Sequence, residues 1–338
     1  MCVRRRLSGA WLLLLAAGLQ VAVQSQAQSV ISADSLSSWV QQLSHDSMEG
    51  RLTNSAGGSK AARWLESRFL LLGLHSVQGN DGFFHVYNYE YGEVAMQSVN
   101  MMGAIRGGLY PDSIIIISSH YDHIGTVAQY QKVFGMDDPL SNTPVRKGDR
   151  IYNGANDNAS GVACMLGLAQ YINALPVLPD YTVLFVAFSG EELGLKGSQA
   201  LADEMEPGLI KRVINLEMMG RPRGDKPIHY TPMLTVAAGD KTTLDLFNSQ
   251  YRQMSKDSSG QPLYSVARSA RFGSLYERSD NYSFFLKGIP ANTIMLTGDR
   301  DPYYHHPGDE WNTLDYELMA KNLQAIALSV LPFLFSKK

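Results

Sequence analysis

Carboxylates and imidazoles recur along this chain just past runs of apolar and β-branched residues. His120 and Asp122 follow the isoleucines at 114–117. Asp157 opens a helical segment after the Gly/Asn-rich stretch 153–156. Glu191 and Glu192 follow Tyr181–Phe188, Glu217 follows Arg212–Leu216, and His305 follows Ala291–Leu296. Each falls just past a predicted strand or in a loop leading to a helix, so five segments bring acids or histidines to one edge, that at which open α/β sheets bind ligands. Carboxylates gathered at one edge repel one another unless a cation neutralises them. Imidazole and carboxylate donors together suit zinc, and a carboxylate between two ions can bridge them. Two ions ~3.5–4 Å apart clamp an attacking hydroxide and a carbonyl oxygen. His120 and Asp122 are two residues apart, so they point the same way if the strand continues, and Asp122 can orient its neighbour from behind. The adjacent Glu191 and Glu192 point differently. One can bind metal while the other faces a water as general base.

These residues need a scaffold, and the pattern between them supplies one. Asp34–Leu43 carries Leu36, Val40 and Leu43 at helical spacing, with Asp34 as the expected N-cap. Gly57 and Gly58 close a loop before a second predicted helix, Ala61–Leu72. Residues 83–106 are strand-rich. Ser113–Ser118 and Tyr181–Phe188 read as buried strands, with shorter strands at Arg212–Leu216 and Ala291–Leu296. Helices are predicted at Asn158–Ala174, Leu195–Met205, Lys241–Met254 and Asp315–Phe333. Such alternation predicts one α/β domain with a mixed, mostly parallel central β-sheet flanked by helices on both faces.

Four motifs occur in order: His120-Tyr121-Asp122, Asn153-Gly154-Ala155-Asn156-Asp157-Asn158-Ala159-Ser160-Gly161, Ser189-Gly190-Glu191-Glu192-Leu193-Gly194, and Tyr304-His305-His306-Pro307-Gly308-Asp309. At these spacings they resemble the co-catalytic zinc aminopeptidases of the bacterial leucyl aminopeptidase type, in metallopeptidase clan MH. That family also includes glutamate carboxypeptidases and, more distantly, glutaminyl cyclases. The resemblance covers most of the chain beyond residue 27 and implies a phosphorylase/hydrolase-like zinc exopeptidase fold. It implies Asp157 as the bridging aspartate, Glu192 and His305 completing one Zn2+ site, and His120 and Glu217 completing the other. It also implies Glu191 as general base and Asp122 as the carboxylate beside His120. Ser279 and Asp280 resemble the family's Ser-Asp step ahead of Gly288-Ile289-Pro290. Tyr276, three residues before Ser279, matches a tyrosine that in some members donates to a tetrahedral oxyanion. Glu217 departs from the aspartate usual in the best-known aminopeptidases, and Asn281 stands where histidine is common. Of the adjacent His305 and His306, the resemblance selects His305, four residues before Asp309. His123 and His306 read as neighbours rather than ligands.

The activity so implied is zinc-dependent removal of N-terminal residues from peptides with a free N-terminus. A glutaminyl cyclase is an alternative on the same scaffold, with one zinc, although cyclases tend to carry Trp at the place of Tyr121. A carboxypeptidase or dipeptidase would draw on Arg271 and Arg278 for the substrate's carboxylate. An inactive binding protein on this scaffold would have lost ligands, whereas every ligand position here holds a competent residue.

Composition narrows the field further. With 338 residues, 45% hydrophobic and 18% charged, the chain can bury enough apolar surface to fold. Two cysteines exclude a disulfide scaffold. A net charge of −3 gives no footprint for nucleic acid. Residues 1–27 read as a cleaved signal peptide: Arg4, Arg5 and Arg6, an apolar stretch from Ala10 to Val23, then small Ser25 and Ala27. Residues 28–338 then form a single catalytic domain, secreted or periplasmic, with no membrane span after cleavage. It loses three arginines and no acid, so its charge becomes −6. Its one cysteine, Cys164, lies on an apolar helix and reads as an inert buried thiol. The glycosylation sequons at Asn158 and Asn281 fall within the site segments and are expected to be unused. The Arg223-Gly224-Asp225 tripeptide carries no weight. The polar stretch 126–150 is expected to cover the site, and loops within 220–280 to shape the specificity pocket.

Overall fold

The computed structural model describes residues 30–135, 148–222, 233–235, 267–268, 273–297 and 300–336. The expected signal segment, the predicted helix Lys241–Met254, Arg271, the Arg-Gly-Asp tripeptide, residues 136–147 and most of 220–280 lie outside the described residues. The helices are α1 (Ala33–Leu43), α2 (Ala56–Leu71), α3 (Val127–Phe134), α4 (Gly161–Asn173), α5 (Lys196–Glu204), α6 (Gly273–Tyr276), α7 (Asn281–Phe285) and α8 (Tyr316–Leu334). The strands are β1 (Phe84–Tyr91), β2 (Val94–Ile105), β3 (Tyr110–His120), β4 (Tyr181–Phe188), β5 (Ile210–Glu217), β6 (Met233–Thr235), β7 (Ala267–Arg268) and β8 (Ala291–Met295).

All eight strands join one mixed sheet in the order β1-β2-β4-β3-β5-β8-β6-β7. Its centre is parallel: β4, β3, β5 and β8 run the same way, with Ile117 level with Phe185 on one side and Ile214 on the other. The β1–β2 hairpin joins antiparallel at one margin and β6 antiparallel at the other. Because side chains alternate along a strand, the β-branched runs feed two cores. Ile115, Ile117, Val183, Phe185 and Ile214 pack with residues of α1, α2, α4 and α8. Ile116, Leu184, Val186, Phe188 and Val213 pack with Leu201 of α5 and Phe284 of α7. Each such isoleucine contributes about 1.5–3 kcal/mol by leaving water. Helices cover both faces, as the alternation predicts.

Local chemistry shifts some boundaries. The N-cap of α1 is Ser32, whose hydroxyl accepts the Ser35 N–H, and Asp34 lies inside the first turn instead. Gly57 and Gly58 belong to α2, which starts five residues earlier than expected and abuts the 46–51 turn. The expected helix from Asn158 begins only at Gly161, because residues 155–160 form an irregular turn with non-helical Asp157 and Asn158. Cys164 is fully buried in α4, and burial pushes its thiol well above the ordinary range. Among the described residues no helix is long and apolar enough to cross a membrane.

Candidate metal centre

The parallel strands β3, β4, β5 and β8 end at a common edge. His120 is the last residue of β3 and pairs with Phe188, so the Ser189–Glu192 loop emerges at the same level. Glu217 ends β5 and pairs with Met295 of β8. The irregular turn that carries Asp157 lies against these ends. Asn158 Nδ2 donates to the Leu216 carbonyl at 3.1 Å, and Asn158 Oδ1 accepts the Met218 N–H at 3.0 Å.

Asp157 sits at the middle of the cluster, 3% exposed. Its Oδ1 lies 3.4 Å from His120 Nε2, which is itself 2.9 Å from Glu217 Oε1. Its Oδ2 lies 3.4 Å from His305 Nε2 and 3.8 Å from His123 Nδ1. Glu192 closes that second side, with Oε2 3.1 Å from His305 Nε2 and Oε1 2.8 Å from His123 Nδ1. Among the described residues, two groups of donors therefore share Asp157: His120, Asp157 and Glu217, and His123, Asp157, Glu192 and His305. Within each group the ligand atoms lie within 4.8 Å of one another. Neutral imidazoles and carboxylates in sets of three and four are the donor chemistry of zinc, so the residues present fit that ion.

Glu191 lines the cavity in front of the cluster, together with Tyr304, Leu275, Met295 and Arg278. Burial pushes its carboxyl well above the ordinary range; His120 opposes the rise, and Glu192, Glu217 and Asp280 add to it. Burial also disfavours a charged Asp157, but His120, His305 and His123 outweigh it and hold the carboxyl well below the ordinary range. Asp122, fully buried, lies behind His120, with Oδ1 3.6 Å from His120 Nδ1. The same oxygen accepts the Glu191 N–H at 3.3 Å, and Oδ2 accepts the Thr53 hydroxyl at 2.8 Å. Thr53 Oγ1 in turn accepts the Gly190 N–H, so Asp122 and Thr53 seat the Glu191 loop. The longer Glu217 is accommodated by Ser279, whose hydroxyl donates to Oε2 at 2.7 Å.

The Asp157 turn is gripped from both polarities. The guanidinium of fully buried Arg51 donates to the carbonyls of Asn153 at 2.6 Å and Gly154 at 2.8 Å. The same group reaches the carbonyls of Tyr121 and Leu43, both at 2.8 Å. Burial lowers the Arg51 pKa to about 10, opposed by Asp157, Asp309, Asp122 and Glu192, so it stays charged at neutral pH. Gly50, at φ +66°, brings it there, since a Cβ would collide with the Gly125 and Tyr152 carbonyls. On the other side Asp309 accepts the N–H groups of Asn156 and Asp157 at 2.9 to 3.0 Å. Arg221 Nη2 holds Asp309 at 2.9 Å, and its Nη1 pairs with Asp301.

His120, Asp122, Asp157, Glu191, Glu192, Glu217 and His305 thus lie together. Tyr276 does not join them: its hydroxyl donates to the Ala291 carbonyl at 2.9 Å, and it is absent from the cavity wall. Among the described residues the tyrosine on that wall is Tyr304, whose ring stacks on His305 at 4.0 Å and whose hydroxyl accepts from Arg278 at 3.2 Å. His123, expected to be a neighbour, is a member of the second donor group. The only signal for it was a second imidazole three residues after His120. His306 is turned to Gly308, whose N–H its Nδ1 accepts at 2.8 Å. Arg51, Thr53 and Arg221 had no signal, because they act on main chain or on other side chains far away in sequence. Asn158 and Asn281, the sequon residues, are fully buried.

A family model described as peptidase family M28 matches residues 100–330, which contain both donor groups. Aminopeptidase YwaD of Bacillus subtilis is 29% identical over 163 residues, 46% of this chain and 32% of that protein. The chain thus spans about a third of the length of that curated relative. A solved structure of BSAP, a zinc aminopeptidase from Bacillus subtilis, matches 91% of this chain and 97% of that one, with TM-score 0.65 and 16% identity. Porphyromonas gingivalis glutaminyl cyclase matches 90% and 98% respectively, with TM-score 0.63 and 18% identity. At these identities the two structures share their fold with this chain.

Proposed function

As a chain that belongs to peptidase family M28, this protein, we propose, is an exported zinc aminopeptidase that removes N-terminal residues from peptides. The observation that carries the reading is the sharing of Asp157 between two donor groups, with Glu191 in the cavity beside them. Asp157 would bridge two ions, His120 and Glu217 completing one site and Glu192 and His305 the other. Zinc bound there supplies Lewis-acid polarisation of the scissile carbonyl and a more acidic water. Glu191 takes the proton of the attacking water on its carboxylate and passes it to the leaving amine. The Asp122 carboxylate holds Glu191 through the Glu191 main-chain N–H, and the Asp122 main-chain carbonyl, 3.1 Å from His120 Nδ1, keeps the His120 ring oriented. The carboxylates around the cavity favour a substrate's free α-ammonium group, which restricts cleavage to chain ends. Tyr304, with its hydroxyl tied to Arg278, is the cavity tyrosine able to donate to the oxyanion, a part expected of Tyr276. Export rests on the sequence of residues 1–27.

Mass spectrometry of a peptide mixture tests the reading, with free, N-acetylated, C-amidated and N-terminal-glutamine peptides and with or without a chelator. Chelator-sensitive loss of single residues from free N-termini, with acetylated peptides spared, is expected. Loss of ammonia from the glutamine peptides alone would establish a cyclase instead, the chemistry named for one structural relative.

A further inference from the structure

We infer that His123 is a fourth protein ligand on one side of the centre, closing that site and leaving the other as the open one. The inference rests on the zinc reading above. His123 is fully buried, and its Nδ1 faces Glu192 Oε1 at 2.8 Å and Asp157 Oδ2 at 3.8 Å. His305 shares the same two carboxylates and meets the His123 ring edge-on at 5.5 Å between centroids. Two imidazoles and two carboxylates are a full tetrahedral set for zinc, the arrangement of closed, structural sites. Among the described residues the opposite side offers His120, Asp157 and Glu217, the three-ligand arrangement that keeps a position for substrate.

Two independent features agree with this division. The cavity in front of the centre is walled by His120, Glu217, Asp157, Glu191 and Glu192, and neither His123 nor His305 lies on that wall. The fold also makes room for the His123 ring. Gly154 adopts φ +56°, and a Cβ there would strike the ring at 2.6 to 2.7 Å. The backbone beside Asp157 is therefore shaped around this imidazole. Glu191 faces the open side, since it lines the same cavity wall as His120 and Glu217. One ion would then hold Asp157 and Glu192 in place, while substrate meets the other.

The competing role for His123 is to orient Glu192 by a hydrogen bond from Nδ1. His123→Asn separates the two, because an asparagine amide can keep that hydrogen bond but is a poor zinc ligand. Zinc affinities would be measured by chelator competition on purified wild type and variant, alongside the visible absorption of the cobalt(II)-loaded proteins. The expected result is a loss of more than about 100-fold at one site, beyond the 10–100-fold of a partner that only orients a ligand. The cobalt bands of a four-coordinate site should fade with it, while the second site keeps its affinity. A smaller loss with an unchanged cobalt spectrum would overturn the inference. X-ray absorption on the zinc-loaded wild type needs no variant to fold: three imidazoles shared by two ions support the inference, and two overturn it. A wild type that binds no zinc defeats the aminopeptidase reading itself, a result separate from any loss confined to the variant.

Discussion

The two sides of the metal centre are built differently. His120 and Glu217 are the terminal residues of adjacent parallel strands, so the sheet sets their separation. His123, Glu192 and His305 stand on three loops, none held by a strand ladder. Their positions depend instead on buried polar anchors: Arg51 on carbonyls of the 121 and 153–154 segments, Thr53 and Asp122 on the amides of the Glu191 loop, and Asp309 on the amides beside Asp157. Strand-borne ligands inherit precision from the fold, whereas loop-borne ligands need dedicated side chains to obtain it.

Substitutions can break this contrast in graded ways. The largest effect falls on the residue common to both sides. Asp157→Ala should abolish high-affinity zinc binding altogether, seen as near-zero bound zinc by elemental analysis after dialysis. Glu191→Gln spares both sides: zinc content should stay at the wild-type level while kcat falls about 10²–10⁴-fold, the usual worth of a general base. A third change sharpens the contrast directly. Arg51→Met leaves four buried carbonyls without their donor and should cost about 3–5 kcal/mol in urea unfolding. In whatever fraction folds, the loop-borne side should lose more zinc affinity than the strand-borne side. Equal losses on both sides would mean that the sheet does not protect its own ligands. The smallest effect is expected from Ser279→Ala, which removes only the hydroxyl that steadies Glu217. It should weaken the strand-borne side by about tenfold, read by chelator competition.

The same contrast explains what could be read from the sequence. The isoleucine run before His120 and the apolar run before Ser189 mark strands, because fully buried parallel strands need continuous hydrophobicity. Once the strands are placed, the acids and histidines at their ends follow. Helix starts were less legible. Asp34 and Ser32 are both competent caps, and only the backbone angles choose between them. The glycines at 57 and 58 look like a loop, but they are helix residues made small by close packing against the 48–52 segment. His123 and Arg51 were hidden for a different reason. Their roles are three-dimensional, created when segments about 70 and 100 residues apart meet. Tyr276 carries the opposite lesson. Its spacing from Ser279 matches the family pattern, yet its hydroxyl is committed to a main-chain carbonyl.

The Arg51 and Asp309 anchors hold main-chain atoms, and a hold on main chain is blind to side-chain identity. Along the Asn153–Asp157 turn, the carbonyls and amides that these two residues bind are present in almost any sequence. Substitutions at Ala155 would leave the hold on Asp157 intact wherever the new side chain fits. Gly154 has no such latitude, since both its backbone angle and the imidazole against it forbid a larger residue. Sequence drift in this turn is therefore channelled: one position is rigidly specified by its smallness, and its neighbour is bounded by space alone.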